Sequence, residues 1–217
     1  MNAPNLHRGG PTPAFLIPIK AFNLAKGRLA ESLSSADRRD LANYLALCVF
    51  GSCDQTANYV VCDDEDVSDW AFVIGSTPLW TPADGLNDAV TKGRARITEL
   101  GHDRVIVIHS DLPLVVDTNW LARFPADRCV IVPDRHRQGT NALVVPSGTD
   151  FTFQYGPGSF HKHIAEAAQR NLPISIVEDE AVGWDLDTPD DLIAPNGENF
   201  LGLIETYRSW QADREQH

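Results

Sequence analysis

The chain has 217 residues, 43% of them hydrophobic, with 30 acidic side chains against 18 basic ones and a net charge of −12. That length supports one sizeable core, and the acidic balance argues against a nucleic-acid backbone or an anionic membrane as main partner. No apolar run approaches the roughly 20 residues of a bilayer span. Four cysteines (Cys48, Cys53, Cys62, Cys129) form no CxxC pair, so reduced, mostly buried thiols in a cytoplasmic protein are expected.

Met1 to Pro13 is polar, with Pro and Gly, and is expected to be a disordered leader ahead of a single domain over 14–217. "FLIPIK" (15–20) predicts a buried first strand ending on a lysine. In the next segment Ser34 with Asp37 three residues on is a capping pattern, followed by Leu41, Tyr44, Leu45, Cys48 and Val49 at helical spacing. "NYVVCDD" (58–64) and "AFVIG" (71–75) predict two strands, and "GLNDAVTKGRARITEL" (85–100) a helix. "DRVIVI", "RCVIVPD", "NALVVP" and "ISIVED" predict further strands; "SFHKHIAEAAQRN" (159–171), "TPDDLIA" and "NFLGLIETYRSWQ" predict helices. Strands alternate with helices, and several strands are apolar throughout. That is the pattern of a mainly parallel sheet buried on both faces, which binds ligands beyond the carboxyl ends of its strands.

Four segments could carry chemistry there. "IPIKAFNLAKGRL" (17–29) holds Lys20, Lys26 and Arg28 with no acid among them. It reads either as a solvated loop or as an anion clamp, and it is not a P-loop. "HSDLPLV" (109–115) places Asp111 after a buried strand, as a cap or as an oxygen ligand for a hard cation. "GTNAL" offers Thr140 and Asn141 beside a glycine turn. "GPGSF" offers Gly156, Gly158 and Ser159 at a predicted N-cap, where exposed N–H groups make an anion site, with His161, Lys162 and His163 as added positive charge.

"WDLDTPDD" (184–191) puts four aspartates into eight positions. Asp185 and Asp187 alternate around Leu186 and would share one side of an extended segment. Thr188 and Pro189 read as N-cap and first turn of a helix, with Asp190 and Asp191 as partners of its dipole. The first pair is thereby left in need of a cation.

Together, "AKGRLAESLSSADRRDLA", "GLNDAV", "SDLPLV", "PDRHRQGTNAL", "YGPGSFHKH" and "DLDTPDDL" resemble, in that order, the guanylyltransferases of deazaflavin coenzyme F-420 biosynthesis, over about residues 15 to 195. Gly27, where a serine is usual, and His109-Ser110, where a small residue such as alanine is usual, depart from the pattern. The resemblance implies a three-layer α/β/α sandwich on a mixed, mostly parallel sheet, like that of the nucleotide-diphospho-sugar transferases. It implies transfer of GMP from GTP to the phosphate of 2-phospho-L-lactate, phosphoenolpyruvate or 3-phospho-D-glycerate, with release of pyrophosphate. Mg²⁺ would be held by Asp111, Asp185 and Asp187, and phosphates by Lys20, Lys26 and Arg28. Gly85 and Asn87, with Lys20 and Asp111, would approach the nucleotide; Thr140, Asn141, Gly156 and Ser159 would grip the acceptor. The product would pass to a downstream transferase, and a homodimer is left open. Two competing readings are another nucleotidyltransferase or sugar-nucleotide transferase of the same fold, and a non-catalytic α/β signalling domain with Asp63-Asp64 or Asp111 as phospho-acceptor.

Overall fold

The computed structural model describes residues 12–53, 57–194, 196–197 and 199–215. The expected leader therefore lies, from Met1 to Pro11, outside the described residues, and the first strand already begins at Pro13. The strands are β1 (Pro13–Pro18), β2 (Ala57–Cys62), β3 (Thr77–Trp80), β4 (Arg104–Ile108), β5 (Cys129–Pro133), β6 (Thr140–Pro146) and β7 (Ile174–Ile176). They form one sheet in the order β3-β2-β1-β4-β6-β5-β7. Only β6 runs against its neighbours β4 and β5; the other pairs are parallel. The sheet is mixed and mostly parallel, as expected.

The α-helices are α1 (Ser35–Gly51), α2 (Glu65–Val73), α3 (Leu86–Glu99), α4 (Ser159–Gln169), α5 (Glu180–Gly183) and α6 (Gly202–Glu215). Two cores flank the sheet because its central strands are apolar on both faces: Phe15, Ile17, Ile106 and Ile108 face one, Leu16, Val105, Val107 and Leu143 the other. A third cluster joins Leu29, Leu41, Leu45, Leu186, Leu192 and Phe200. Ser34 caps α1 by accepting the Asp37 N–H. Cys53, Cys62 and Cys129 are buried, and none of the four cysteines is in a disulfide among the described residues.

Two expected elements differ. "AFVIG" is not a strand: Ala71 to Val73 end α2, whose start is fixed by Asp64 accepting the Val67 N–H and by Glu65 and Asp66 in its first turn. Acids at a helix N-terminus and the Val67/Ala71 spacing outweigh the β propensity of a short apolar run. The strand on this edge is β3, whose Pro78 suits an edge position. "TPDDLIA" forms only a 3-10 turn over Pro189–Leu192.

The topology decides where a ligand can enter. From β1 the chain winds outward through β2 and β3, then returns to β4 on the other side of β1. The crevice at such a switch point lies beyond the carboxyl ends of β1 and β4. Since β6 is antiparallel, its amino end, with Thr140 and Asn141, comes to that same edge.

Candidate active site at the β1/β4 crevice

A cavity of about 470 Å³ opens at this crevice, and its lining includes Lys20, Lys26, Gly85, His109, Asp111 and Asp187. Lys20 is exposed two residues beyond β1. Gly85 caps α3 with φ +88°, a conformation that favours glycine, and brings backbone to the cavity edge.

On the cavity's charged wall, Lys26 takes a left-handed φ of 55° and turns its ammonium inward, leaving the side chain only 7% exposed. Its Nζ donates to Asp111 Oδ2 at 2.7 Å, to the Leu186 carbonyl at 2.5 Å and to Asp187 Oδ1 at 3.5 Å. Arg28 reaches the other oxygen of Asp187 at 3.3 Å. Leu29 and Leu186, both fully buried in the third cluster, hold the two segments against each other. Apolar neighbours thus fix the charged residues between them. Burial alone would lower the Lys26 pKa, but the charges of Asp111 and Asp187 raise it overall. Burial pushes Asp111 upward, and Lys26 and His109 pull it below its usual value. Asp185 is raised, first by burial and then by the charge of Asp111.

Does this wall fit a divalent cation? Among the described residues no group of three or more His, Cys, Asp or Glu side chains is arranged to hold one. Lys26 stands between Asp111 and Asp187 instead, while Asp185 accepts from Asn141 Nδ2 at 3.4 Å and lies 3.8 Å from Arg135. One observation still favours a fit: Asp111 Oδ1 is buried without a partner. Carboxylate oxygens are the right donors for Mg²⁺.

The tract's second half does different work. Thr188 caps the Pro189–Leu192 turn in a capping box with Asp191. Buried Asp191 accepts from the N–H groups of Asp187 and Thr188 and from the Thr188 hydroxyl, and pairs with Arg135. Arg135 stacks on Trp184, 4.1 Å from its ring centre. Asp190 is exposed.

The residues expected at the acceptor, and with them Asn87, which was expected at the nucleotide, form a neutral wall that does not line the cavity. Asn87 spends both ends of its amide on Tyr155, accepting its N–H at 2.6 Å and donating to its carbonyl at 3.2 Å. It ties the start of α3 to the "YGPGS" loop. Asn141 donates to the Val182 carbonyl at 2.9 Å. Thr140 is 1% exposed and bonds His163 Nδ1 at 3.0 Å, while His163 Nε2 accepts the Gln154 N–H at the same distance. Nε2 is therefore unprotonated, and Nδ1–H is the donor to Thr140. Gly139, just before, has its N–H on Asp134, and an added Cβ would lie 2.8 Å from that carboxylate oxygen. Gly156 is exposed with φ +115°.

Two expectations for this loop need correction. Ser159 is not the N-cap: Gly158 holds that position, with φ +72°, and buried Ser159 is the first helical residue. His163 adds no positive charge, because burial, with His109 nearby, depresses it to about 4. His161 and Lys162 are exposed. Sequence reasoning also missed Asn87's clamp on Tyr155 and the rings of His109 and Tyr155, 5.2 Å apart. The tyrosine directly before "GPGS" was the available signal.

Comparison with known proteins decides the family. The family described as "Guanylyl transferase CofC like" matches residues 14–199. The chain belongs to the CofC-like guanylyl transferases. A "Phosphoenolpyruvate guanylyltransferase" of Conexibacter woesei is 38% identical over 189 residues, 82% of this chain and 85% of that protein. A "2-phospho-L-lactate guanylyltransferase" of Methanocaldococcus fervens is 29% identical over 195 residues, 88% and 86% of the two chains. Among solved structures, a nucleotidyl transferase from Methanothermobacter thermautotrophicus superposes with a TM-score of 0.60 at 12% identity, covering 92% of this chain and 99% of that one. A Desulfovibrio desulfuricans G20 protein assigned to the nucleotide-diphospho-sugar transferases gives 0.63 at 13% identity, covering 91% and 98%. These likenesses give the fold, the sandwich expected. This CofC-like chain is an enzyme of the guanylyltransferase type, which sets aside the signalling-domain reading.

Proposed function

We propose that the protein transfers GMP from GTP to the phosphate of a three-carbon phospho-acid and releases pyrophosphate. Phosphoenolpyruvate is the first acceptor to test, with 2-phospho-L-lactate and 3-phospho-D-glycerate as alternatives. The observation that carries this reading is the crevice beyond β1 and β4, where Lys20, Gly85, Asp111 and Asp187 line one cavity in a CofC-like chain. An oxygen of the acceptor phosphate attacks the α-phosphorus of GTP; the bond to the β-phosphate oxygen breaks, and pyrophosphate leaves. Such a transfer depends on positioning and electrostatics rather than on a covalent protein group.

Lys20, exposed at the cavity, meets the phosphates first, and Lys26 and Arg28 exchange Asp187 for phosphate oxygens as the nucleotide settles. Asp111 and Asp187, with Asp185 behind them, are then free to hold Mg²⁺. When bound, the ion neutralises phosphate charge. Gly85 lets the nucleotide approach backbone, and Asn87 keeps the acceptor loop in register with it. Thr140, Asn141, Gly156 and Ser159 form the acceptor side, reached as the ligand opens that wall. In this reading the guanylylated acid goes to a downstream transferase of coenzyme F-420 biosynthesis.

A pyrophosphate-release assay crossing four nucleoside triphosphates with the three acids, with and without Mg²⁺, tests it. Turnover confined to GTP and one or more of the acids is the expected result. Release with a sugar phosphate, or with another nucleotide alone, would move the protein to a different nucleotidyltransferase activity.

A further inference from the structure

The paired acids that follow β2 have unequal tasks. Asp64 caps α2 by accepting the Val67 N–H at 3.1 Å. Asp63 is exposed, lines the crevice cavity and, among the described residues, makes no hydrogen bond or ion pair. β2 lies beside β1 on the side away from β4, with β3 beyond it. Asp63 therefore follows a strand that is one spacing from β1 and two from β4, roughly 5 and 10 Å. At this end of the cavity Thr81 is engaged already: its N–H donates to the Cys62 carbonyl at 2.8 Å and its hydroxyl to the Leu79 carbonyl at 3.1 Å. Burial raises the Cys62 thiol, which keeps its proton and packs as a small apolar group. Val61, Ala83, Leu86 and Ala89 also belong to the lining. An apolar slot with one unspent carboxylate suits a flat ring that carries hydrogen-bond donors along one edge.

We infer that the Asp63 carboxylate reads the guanine base, accepting from its N1–H and its 2-amino group. The inference rests on the guanylyl-transfer reading above and names the residue that selects the nucleotide. An ionised carboxylate offers two acceptor oxygens and no donor, and guanine presents two parallel N–H donors on one edge, a bidentate match. Adenine and cytosine set a bare ring nitrogen beside their amino group, so a lone pair would face the second oxygen. Uracil has one N–H between two carbonyls. Position selects the base over the phosphates, which a carboxylate repels and which belong by Lys20 and Lys26. With the phosphates there, a nucleotide that passes Gly85 brings its base to the ends of β2 and β3. The apolar lining favours a ring over the hydroxyls of the ribose.

ITP, which is GTP without the 2-amino group, is the probe. The parent should use it with a kcat/KM about tenfold or more below that for GTP, the worth of a hydrogen bond to a charged group. Asp63→Ala and Asp63→Asn should each lower kcat/KM for GTP about tenfold or more, and Asp63→Ala should bring GTP and ITP within about twofold of each other. KM for the acid should change by less than about twofold. Removing a negative charge near a polyanion would by itself strengthen binding, so a loss with GTP has the sign of a broken contact. Without ligand, the Tm of Asp63→Ala should not fall, since the carboxylate is unpaired; a structural role predicts a fall. A second readout is independent of turnover: GTP should raise the parent's Tm more than ITP does, and the two rises should become equal in Asp63→Ala. A parent indifferent between GTP and ITP, or a preference that survives in Asp63→Ala, would overturn the inference. So would a variant that loses discrimination against 2′-deoxy-GTP instead, which would place the ribose at Asp63. A parent that GTP stabilises more than ITP but that releases no pyrophosphate with any of the three acids would overturn the guanylyl-transfer reading and leave Asp63 standing as a guanine site.

Discussion

The two walls of the crevice are held by opposite kinds of bond. On one side a buried ammonium, Lys26, is shared by Asp111 and Asp187; on the other, neutral groups such as Asn87, Thr140 and His163 are matched donor to acceptor. Ion pairs of this kind can be exchanged, because a phosphate or a cation offers the same charges a replacement. Neutral hydrogen bonds of fixed tautomer and direction cannot be exchanged so easily, and they set geometry before any ligand arrives. The charged wall is suited to exchanging its ion partners for those of a nucleotide, and the neutral wall to shape.

Asp187→Asn is the strongest way to break that contrast. The side chain is 45% exposed, and its partners Lys26 and Arg28 sit at 3.5 and 3.3 Å, so the stability lost should stay below about 1 kcal/mol. Turnover should fall about a hundredfold or more, the several kcal/mol of transition-state charge stabilisation that a cation ligand contributes. Steady-state kinetics beside thermal unfolding decide it. Turnover within twofold of the parent would remove Asp187 from the reaction.

The neutral wall should show itself in pH dependence. His163 titrates at about 4 in the folded chain, because it is buried, against about 6.5 unfolded. A depressed histidine stabilises the fold fully above its unfolded value, and that contribution is lost as pH falls from 6.5 towards 4, since the unfolded chain takes up the proton first. The loss should be on the order of 3 kcal/mol across this window. Denaturant unfolding from pH 7.5 to 4 should show the slope, and His163→Gln, which does not titrate there, should flatten it. An identical slope in the variant would assign it to other groups.

How much of this was legible beforehand divides along the same line. Charged residues at strand ends stand out in an acidic chain, and so Lys26 could be named for phosphate and Asp111 and Asp187 for a cation; that they pair with one another goes with Leu29 and Leu186 packing together, a contact across more than 150 positions that no local pattern encodes. The sheet was legible because "FLI" and "VIVI" are apolar without alternation. Strand β3 was not, being four residues long with a proline inside it. Nor was the state of His163: a histidine on a helix reads as a charge until its neighbours Phe151, Tyr155 and Thr140 are known to enclose it.

Within the acidic tract the same contrast recurs over four residues, and Asp191 measures its structural half. The carboxylate is 4% exposed and accepts from Asp187 N–H, Thr188 N–H and the Thr188 hydroxyl beside Arg135. Burial raises its pKa, but these donors and the guanidinium lower it overall. Its contribution is present above the unfolded carboxylate value of about 3.9 and is lost as pH falls below that. Asp191→Asn can keep one oxygen for these N–H groups but sets an amide donor against the Arg135 guanidinium in place of its charged partner, at a cost of about 2 kcal/mol. Calorimetry at pH 7 should show the lower Tm, and parent and variant should converge below pH 4.

Asp190→Asn should have the smallest effect, and that smallness is informative. Asp190 is exposed in the first turn of a 3-10 segment only four residues long. A carboxylate at a helix N-terminus is worth ~0.3–1 kcal/mol, and so short a segment has few aligned peptide dipoles to offer, so a change below about 0.5 kcal/mol is expected. Turnover should match the parent, because among the described residues the side chain neither lines the cavity nor bonds to a residue that does. If Asp190→Asn instead lowered turnover as Asp187→Asn does, the tract would act as one pool of negative charge, and the division between its halves would fail. If it changed stability by as much as Asp191→Asn, the turn rather than the buried carboxylate would be what holds Asp187 in place.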